Sequence, residues 1–309
     1  MPVILYNMVH SDCRTFAYAC DMCGGNKEVY TRGGRSAMKQ FLQMVAYDMR
    51  FSFRKNRYKW LVAIGIFLFF DLQIFGQIAS LVGVYDLFSE ICPVMCGERE
   101  YILMNDSMFQ LPSYWMLFHG YLFFMVGFYP VNDLYQGNGQ TCIRAKSRGT
   151  WILSKQISVF LNIVLYYACF LLLLLIGNAL HHGTLLPESG VLSLAGIRVL
   201  NKSITELATA FIVLPFLVSW ALAEIQIVFS FMMSPVLAFM LVIGYLIASV
   251  FWMQPYWIGN FAMIYRQSWI SGRLDLTVDT GVQICVVLII LSCVLGIFLF
   301  EIKDILTEE

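Results

Sequence analysis

Six stretches of roughly 20 mostly apolar residues recur along the chain, at 60–81, 113–131, 157–176, 207–231, 235–253 and 282–300. A helix needs about that length to cross the hydrocarbon core, where no water is present to pair stray backbone groups. The pattern predicts an all-α integral membrane protein with six transmembrane helices. Only the first stretch carries a strongly opposing residue, Asp71 near its middle. Its Leu, Ile, Val and Phe side chains favour insertion by about 6 kcal/mol against about 3 for a central aspartate, so it still inserts. Ahead of it the period changes: Met38, Phe41, Leu42, Val45, Met49 and Phe53 fall on one side of a helix, and Lys39, Gln40, Gln43, Arg50 and Arg54 on the other. This amphipathic helix over 36–58 is predicted to lie in the inner membrane interface. The same pattern also fits a cytosolic helix packed on a partner.

Composition sharpens the class: 59% of residues are apolar and 13% charged, far from a soluble domain. The net charge of zero offers no global field for nucleic acid, so the placement of charges matters more. With the N-terminus inside, the inner segments hold 15 of the 20 Lys and Arg residues, which predicts that both termini are cytoplasmic. Residues 1–58 lack the order of basic stretch, apolar run and small-residue cleavage site that marks a secretory signal. No 20- to 50-residue period repeats. The expected organisation is a cytoplasmic segment of unassigned role (1–35), the interfacial helix (36–58), a six-helix membrane domain (59–303) and a cytoplasmic tail (304–309).

Local chemistry is sparse. The phosphate-cradling pattern G-x-x-x-x-G-K-[ST] is absent, and Gly24-Gly25-Asn26-Lys27 lacks its spacing, so any nucleotide hydrolysis belongs to another chain. H-E-x-x-H and G-x-S-x-G are also missing, and no cofactor is expected. Ionisable residues inside spans cost about 2.5–3.5 kcal/mol each and usually mark function. Asp71 near the midplane of the first span, His119 in the outer-to-middle part of the second and Glu224 toward the inner end of the fourth are therefore candidates for a substrate pathway. Alternatively, neighbours such as Gln73, Gln77, Asn162 or Gln226 satisfy them and they only fix packing. As a set they also fit an intramembrane enzyme acting on a lipid or peptide, although each acidic span brings a single carboxylate. Asp71 lies about 160° around the helix from Gln73, so no polar stripe lines the first span.

His10, Cys13, Cys20 and Cys23 form H-x2-C-x6-C-x2-C, a zinc-type ligand count with a central gap half the usual length; reduced cytosolic thiols are the other reading. Cys92 and Cys96, in the first outer loop, are spaced closely enough for a disulfide in an oxidising exterior. Asn105-Asp-Ser107 and Asn201-Lys-Ser203 fit the glycosylation acceptor pattern on the outer face.

The inner loop between the second and third spans (132–156) contains Arg144-Ala145-Lys146-Ser147-Arg148-Gly149-Thr150-Trp151 and then Lys155, and it runs directly into membrane. This arrangement resembles the permeases of bacterial type-2 ABC exporters. So do Pro255-Tyr256-Trp257-Ile258-Gly259-Asn260 with Met263 and Arg266 before the last span, and Gly296 through Asp304-Ile305-Leu306 at the end. The resemblance covers roughly 36–306. It implies a membrane-spanning permease subunit of an ATP-driven exporter, not itself an enzyme, working as a dimer with an identical or sister permease. Separate cytosolic ABC ATPase subunits would act on the inner loop through Arg144, Ser147, Arg148, Trp151 and Lys155. Read without the resemblance, these cations obey the positive-inside rule and snorkel, with Trp151 in the aromatic belt.

Overall fold

The structure, a computed structural model, describes residues 27–81, 86–100, 111–128, 147–186, 191–192, 197–199, 202–272 and 274–302. The zinc-type set at His10, Cys13, Cys20 and Cys23 lies outside the described residues, as do Asn105, Asn201 and the loop residues Cys142, Arg144 and Lys146. The chain divides into two units, Met1–Met44 and Val45–Glu309. The first enters here only through the start of α1, and all packing given below lies within the second.

In chain order the helices are α1 (Lys27–Lys55), α2 (Arg57–Leu81), α3 (Leu87–Met95), α4 (Ser113–Val126) and α5 (Arg148–Leu180). After a two-residue antiparallel pair, β1 (Val191–Leu192) with β2 (Ile197–Arg198), come α6 (Ile204–Met232), α7 (Pro235–Phe251), the short α8 (Ser268–Ser271) and α9 (Val278–Ile302). Among the described residues four helices, α2, α5, α6 and α9, are long and apolar enough to cross a membrane. Two expected spans are shorter than the sequence suggests: α7 has 17 residues, and α4 has 14 before the described segment ends at 128.

Ring and backbone contacts fix the helix directions. Along α2 and α5, Phe67 meets Tyr166 at 4.9 Å, and further on Phe75 stacks on His181 at 3.5 Å, so the two run parallel. Along α4, Tyr114 meets Phe70 while the Tyr121 hydroxyl donates to the Lys59 carbonyl at 2.6 Å, so α4 opposes α2. Against α5, α6 places Ser219 at Tyr167 and Phe231 at Trp151, again antiparallel. Phe239 of α7 meets Phe124, and Ile243 faces Gly120, so α7 opposes α4. On α9, Gly281 faces Leu214, and Phe300 meets Phe231 at 5.3 Å, so it runs with α6. The six apolar helices α2, α4, α5, α6, α7 and α9 therefore alternate in direction along the chain.

The interior is aromatic. Phe67, Phe118, Tyr166 and Phe170 are fully buried where α2, α4 and α5 meet, with centroids 4.9–6.0 Å apart in tilted or edge-on pairs. Such geometry suits the ring quadrupoles, which disfavour face-to-face stacking.

Local sequence explains the element ends. Ser147, in extended conformation, caps α5 by accepting from Thr150 N at 3.1 Å. Only Met233 and Ser234 connect α6 to α7, with Ser234 capping and Pro235 in the first helical position. Within α6, Pro215 has no N–H to donate and its ring crowds the preceding turn. The chain answers with a π-turn at Thr209–Val213. In that wider register the donor for Ala210 would be Pro215, and the vacancy is filled by Gln267 Nε2 at 3.2 Å.

The segment 82–112 reads in the sequence as an outer loop, yet it contains α3, a nine-residue helix with seven buried residues. Asp86 caps it through both carboxylate oxygens, accepting from Ser89 N at 2.8 Å and Ser89 Oγ at 2.7 Å. At its end Cys92 and Cys96 are joined as a disulfide, their Cα atoms 5.2 Å apart.

Candidate functional site

The predicted coupling residues fall at the N-terminal end of α5, and they do not all face outward. Ser147 is exposed and Arg148 half-buried, whereas Trp151 and Lys155 are fully buried. Trp151 and Lys155, expected either as contact surface for a partner or as a belt tryptophan and a snorkelling lysine, therefore lie beneath the surface of the chain. The cause is a buried acid. Asp48 of α1 accepts from Lys155 Nζ at 2.6 Å and from Ser154 Oγ at 2.8 Å, and the ammonium also stands 5.0 Å from the Trp151 ring. A lysine can leave water at this depth only because the opposite charge is satisfied alongside it. Trp151 also stacks on Phe300 of α9 at 4.9 Å and 16°.

One node thus ties α1, α5, α6 and α9 together. Gly149 closes the first turn of α5 onto α9, since a Cβ there would lie 3.0 Å from Glu301 Oε1 and 3.3 Å from Ile297. That carboxylate sits favourably at a helix N-terminus. Beside the node lies an apolar pocket of about 260 Å³ lined by Phe231, Met232, Leu299, Phe300 and Ile302. In α1 the inward positions are Val45, Asp48 and Ser52, while Met38, Leu42 and Phe53 of the expected apolar face are exposed. Ser52 in turn donates to Asn162 Oδ1 of α5 at 3.4 Å. Sequence periodicity missed Asp48. Its signal was present all the same, as Asp48 is the one acidic residue between 36 and 58.

The three ionisable residues of the apolar helices, Asp71, His119 and Glu224, are buried separately, and no hydrogen bond or ion pair joins any two of them among the described residues. Asp71 is 9% exposed, packs against the Gly177 backbone, where a Cβ would collide with it, and leaves Oδ1 unpaired. Gly177 lies near the C-terminal end of α5, which is about 50 Å long at 1.5 Å per residue. His119 Nδ1 lies 3.0 Å from the Trp115 carbonyl, and its Nε2 has no partner. Glu224 accepts from Trp220 Nε1 at 3.0 Å through Oε1 and leaves Oε2 unpaired. Of the neighbours expected to satisfy them, Gln226 donates to the Phe123 carbonyl, Asn162 donates to the Ser158 carbonyl, and Gln73 is exposed.

At the opposite end of the bundle, Arg266 is fully buried. Its guanidinium donates to the Ser249 and Val250 carbonyls, to Asn260 Oδ1, and at 2.9 Å to the Glu98 carbonyl. Two of these partners are last-turn carbonyls of α7, orphaned by helix geometry and at the negative end of its dipole. Burial pulls this guanidinium below its usual value to about 10, with Glu98 and Glu100 opposing, so it remains charged at neutral pH. The segment carrying Asn260, Met263 and Arg266 is thus a knot joining α7 to the strand of chain that follows the disulfide.

Comparison of the chain with family models, with curated proteins and with solved structures finds no match.

Proposed function

We propose that this chain is the membrane-spanning permease subunit of an ATP-driven exporter. It crosses the membrane six times with both termini cytoplasmic, α1 beginning at the inner interface, and it pairs with a second permease around a shared pathway. Strict alternation of the six apolar helices supports six crossings, because consecutive spans of such a chain must reverse direction. The motif resemblance around Arg144–Lys155 and Asn260–Arg266 supports the class.

The observation that carries the coupling part is the Asp48–Lys155–Trp151–Phe300 node. A push delivered to the loop before α5 enters a helix whose base is locked to α1, α6 and α9, so it moves several helices at once. In this reading Arg144, Ser147 and Arg148 meet the ATPase, while Trp151 and Lys155 pass the displacement inward. Asp71, His119 and Glu224 supply polar groups to the pathway.

The test is purification of the tagged chain from its native membrane, followed by reconstitution. An ATPase subunit should co-purify, and hydrolysis should fall at least tenfold when Arg148 and Ser147 are replaced by Glu and Pro. A complex without any ATPase, showing no nucleotide dependence in vesicles, removes the proposal.

A further inference from the structure

Glu224 lies in the seam where α5, α6 and α9 meet. It is 1% exposed, and no lysine or arginine pairs with it among the described residues. Gln156 of α5 occupies the same level: it donates to the Cys293 carbonyl of α9 at 3.5 Å, and it touches Gly296, which also packs on Val228, one turn beyond Glu224. Two buried acceptors, Glu224 Oε2 and Gln156 Oε1, are therefore left in this layer without a donor. Buried polar atoms are normally paired, so this set is incomplete in a definite sense: it lacks donors or positive charge, not acceptors.

Trp220, one turn from Glu224 and bonded to it, belongs to a cluster of three half-buried rings with Phe160 and Phe216. Phe160 and Trp220 are 4.5 Å apart, Phe160 and Phe216 6.0 Å, and Phe216 and Trp220 6.4 Å. Trp220 binds the carboxylate through its indole N–H, which anchors Oε1 and leaves Oε2 available. A desolvated ammonium seated between Oε2 and these rings would be attracted to the carboxylate whose charge it stabilises and to the aromatic faces. An acyl chain would leave Glu224 Oε2 and Gln156 Oε1 unpaired, and an anion would add a further acceptor.

We propose that Glu224, Gln156 and the Phe160, Phe216 and Trp220 rings form a binding site for an organic cation, an amine or ammonium group on an apolar body. Calling that ligand a cargo rests on the transport reading, but binding itself does not require nucleotide or a partner chain.

The experiment titrates the purified full chain in lipid nanodiscs with benzyltrimethylammonium and with its uncharged carbon isostere, neopentylbenzene. The unmodified chain should bind the cation saturably and at least tenfold more tightly than the isostere. Glu224→Gln, which keeps size and the Trp220 contact, should weaken the cation at least tenfold and leave the isostere unchanged. Phe160→Leu should weaken the cation severalfold. It also carries the decision, together with the isostere comparison, if Glu224→Gln does not purify as a monodisperse species. Absence of saturable binding, equal affinity for cation and isostere, or an unaltered affinity in both variants overturns the site. That failure leaves nucleotide coupling intact for another cargo, whereas loss of nucleotide coupling leaves a positive binding result in place.

Discussion

Lys155 shows how far a residue's role departs from its type. A lysine in an inner loop reads as a solvated cation obeying the positive-inside rule, yet here it is sealed beneath α1 by Asp48. Removing one partner of such a pair strands the other charge, at a cost of about 3–5 kcal/mol, while replacing both with apolar groups costs far less. Lys155→Met alone should therefore lower the unfolding midpoint in detergent sharply, and Asp48→Leu combined with Lys155→Met should recover most of the loss. Additive effects in that double-mutant cycle would show that the pair does not hold the node. At the same scale, the positions of Asp71, His119 and Glu224 within apolar helices were legible because charge in an apolar run is conspicuous. Their partners were not, since a tryptophan one turn away or a glycine on another helix leaves no local pattern.

Among the elements, those with a long apolar run were readable, and their order and approximate limits hold for α2, α5, α6 and α9. What escaped were elements stabilised by contacts distant in sequence. α3 is too short to show a helical period, carries Glu90 and Pro93, and forms because an Asp86 cap and burial on its neighbours stabilise it. The chain through Arg266 forms only short 3-10 turns, Ile258–Ala262 and Ile264–Arg266, and is tied to its neighbours by one guanidinium bridging five backbone and side-chain oxygens. The π-turn of α6 is intermediate: Pro215 announces a disturbance, but the filling of the vacancy by Gln267 is a tertiary event. Gln267→Leu should leave the Ala210 carbonyl unpaired and cost about 1–3 kcal/mol. Hydrogen exchange should then quicken around Thr209–Val213 more than in the rest of α6. Uniform exchange along α6 in that variant would mean that the side chain does not support the turn.

For the whole molecule, the alternating helix directions and the node at the base of α5 together make a bundle locked at one end by Asp48 and Lys155 and tied at the other by Arg266, and the proposed function has the first end receive displacement. That account requires Ser147 and Leu274 to lie on opposite sides of the membrane, Ser147 at the exposed start of α5 and Leu274, 90% exposed, just before α9. Single cysteines introduced at the two positions can be challenged with a membrane-impermeant maleimide, using the unmodified chain as the blank. The account predicts that Leu274→Cys reacts in intact cells and that Ser147→Cys reacts only after permeabilisation. Labelling of Ser147→Cys in intact cells, or equal accessibility of both positions, would contradict it.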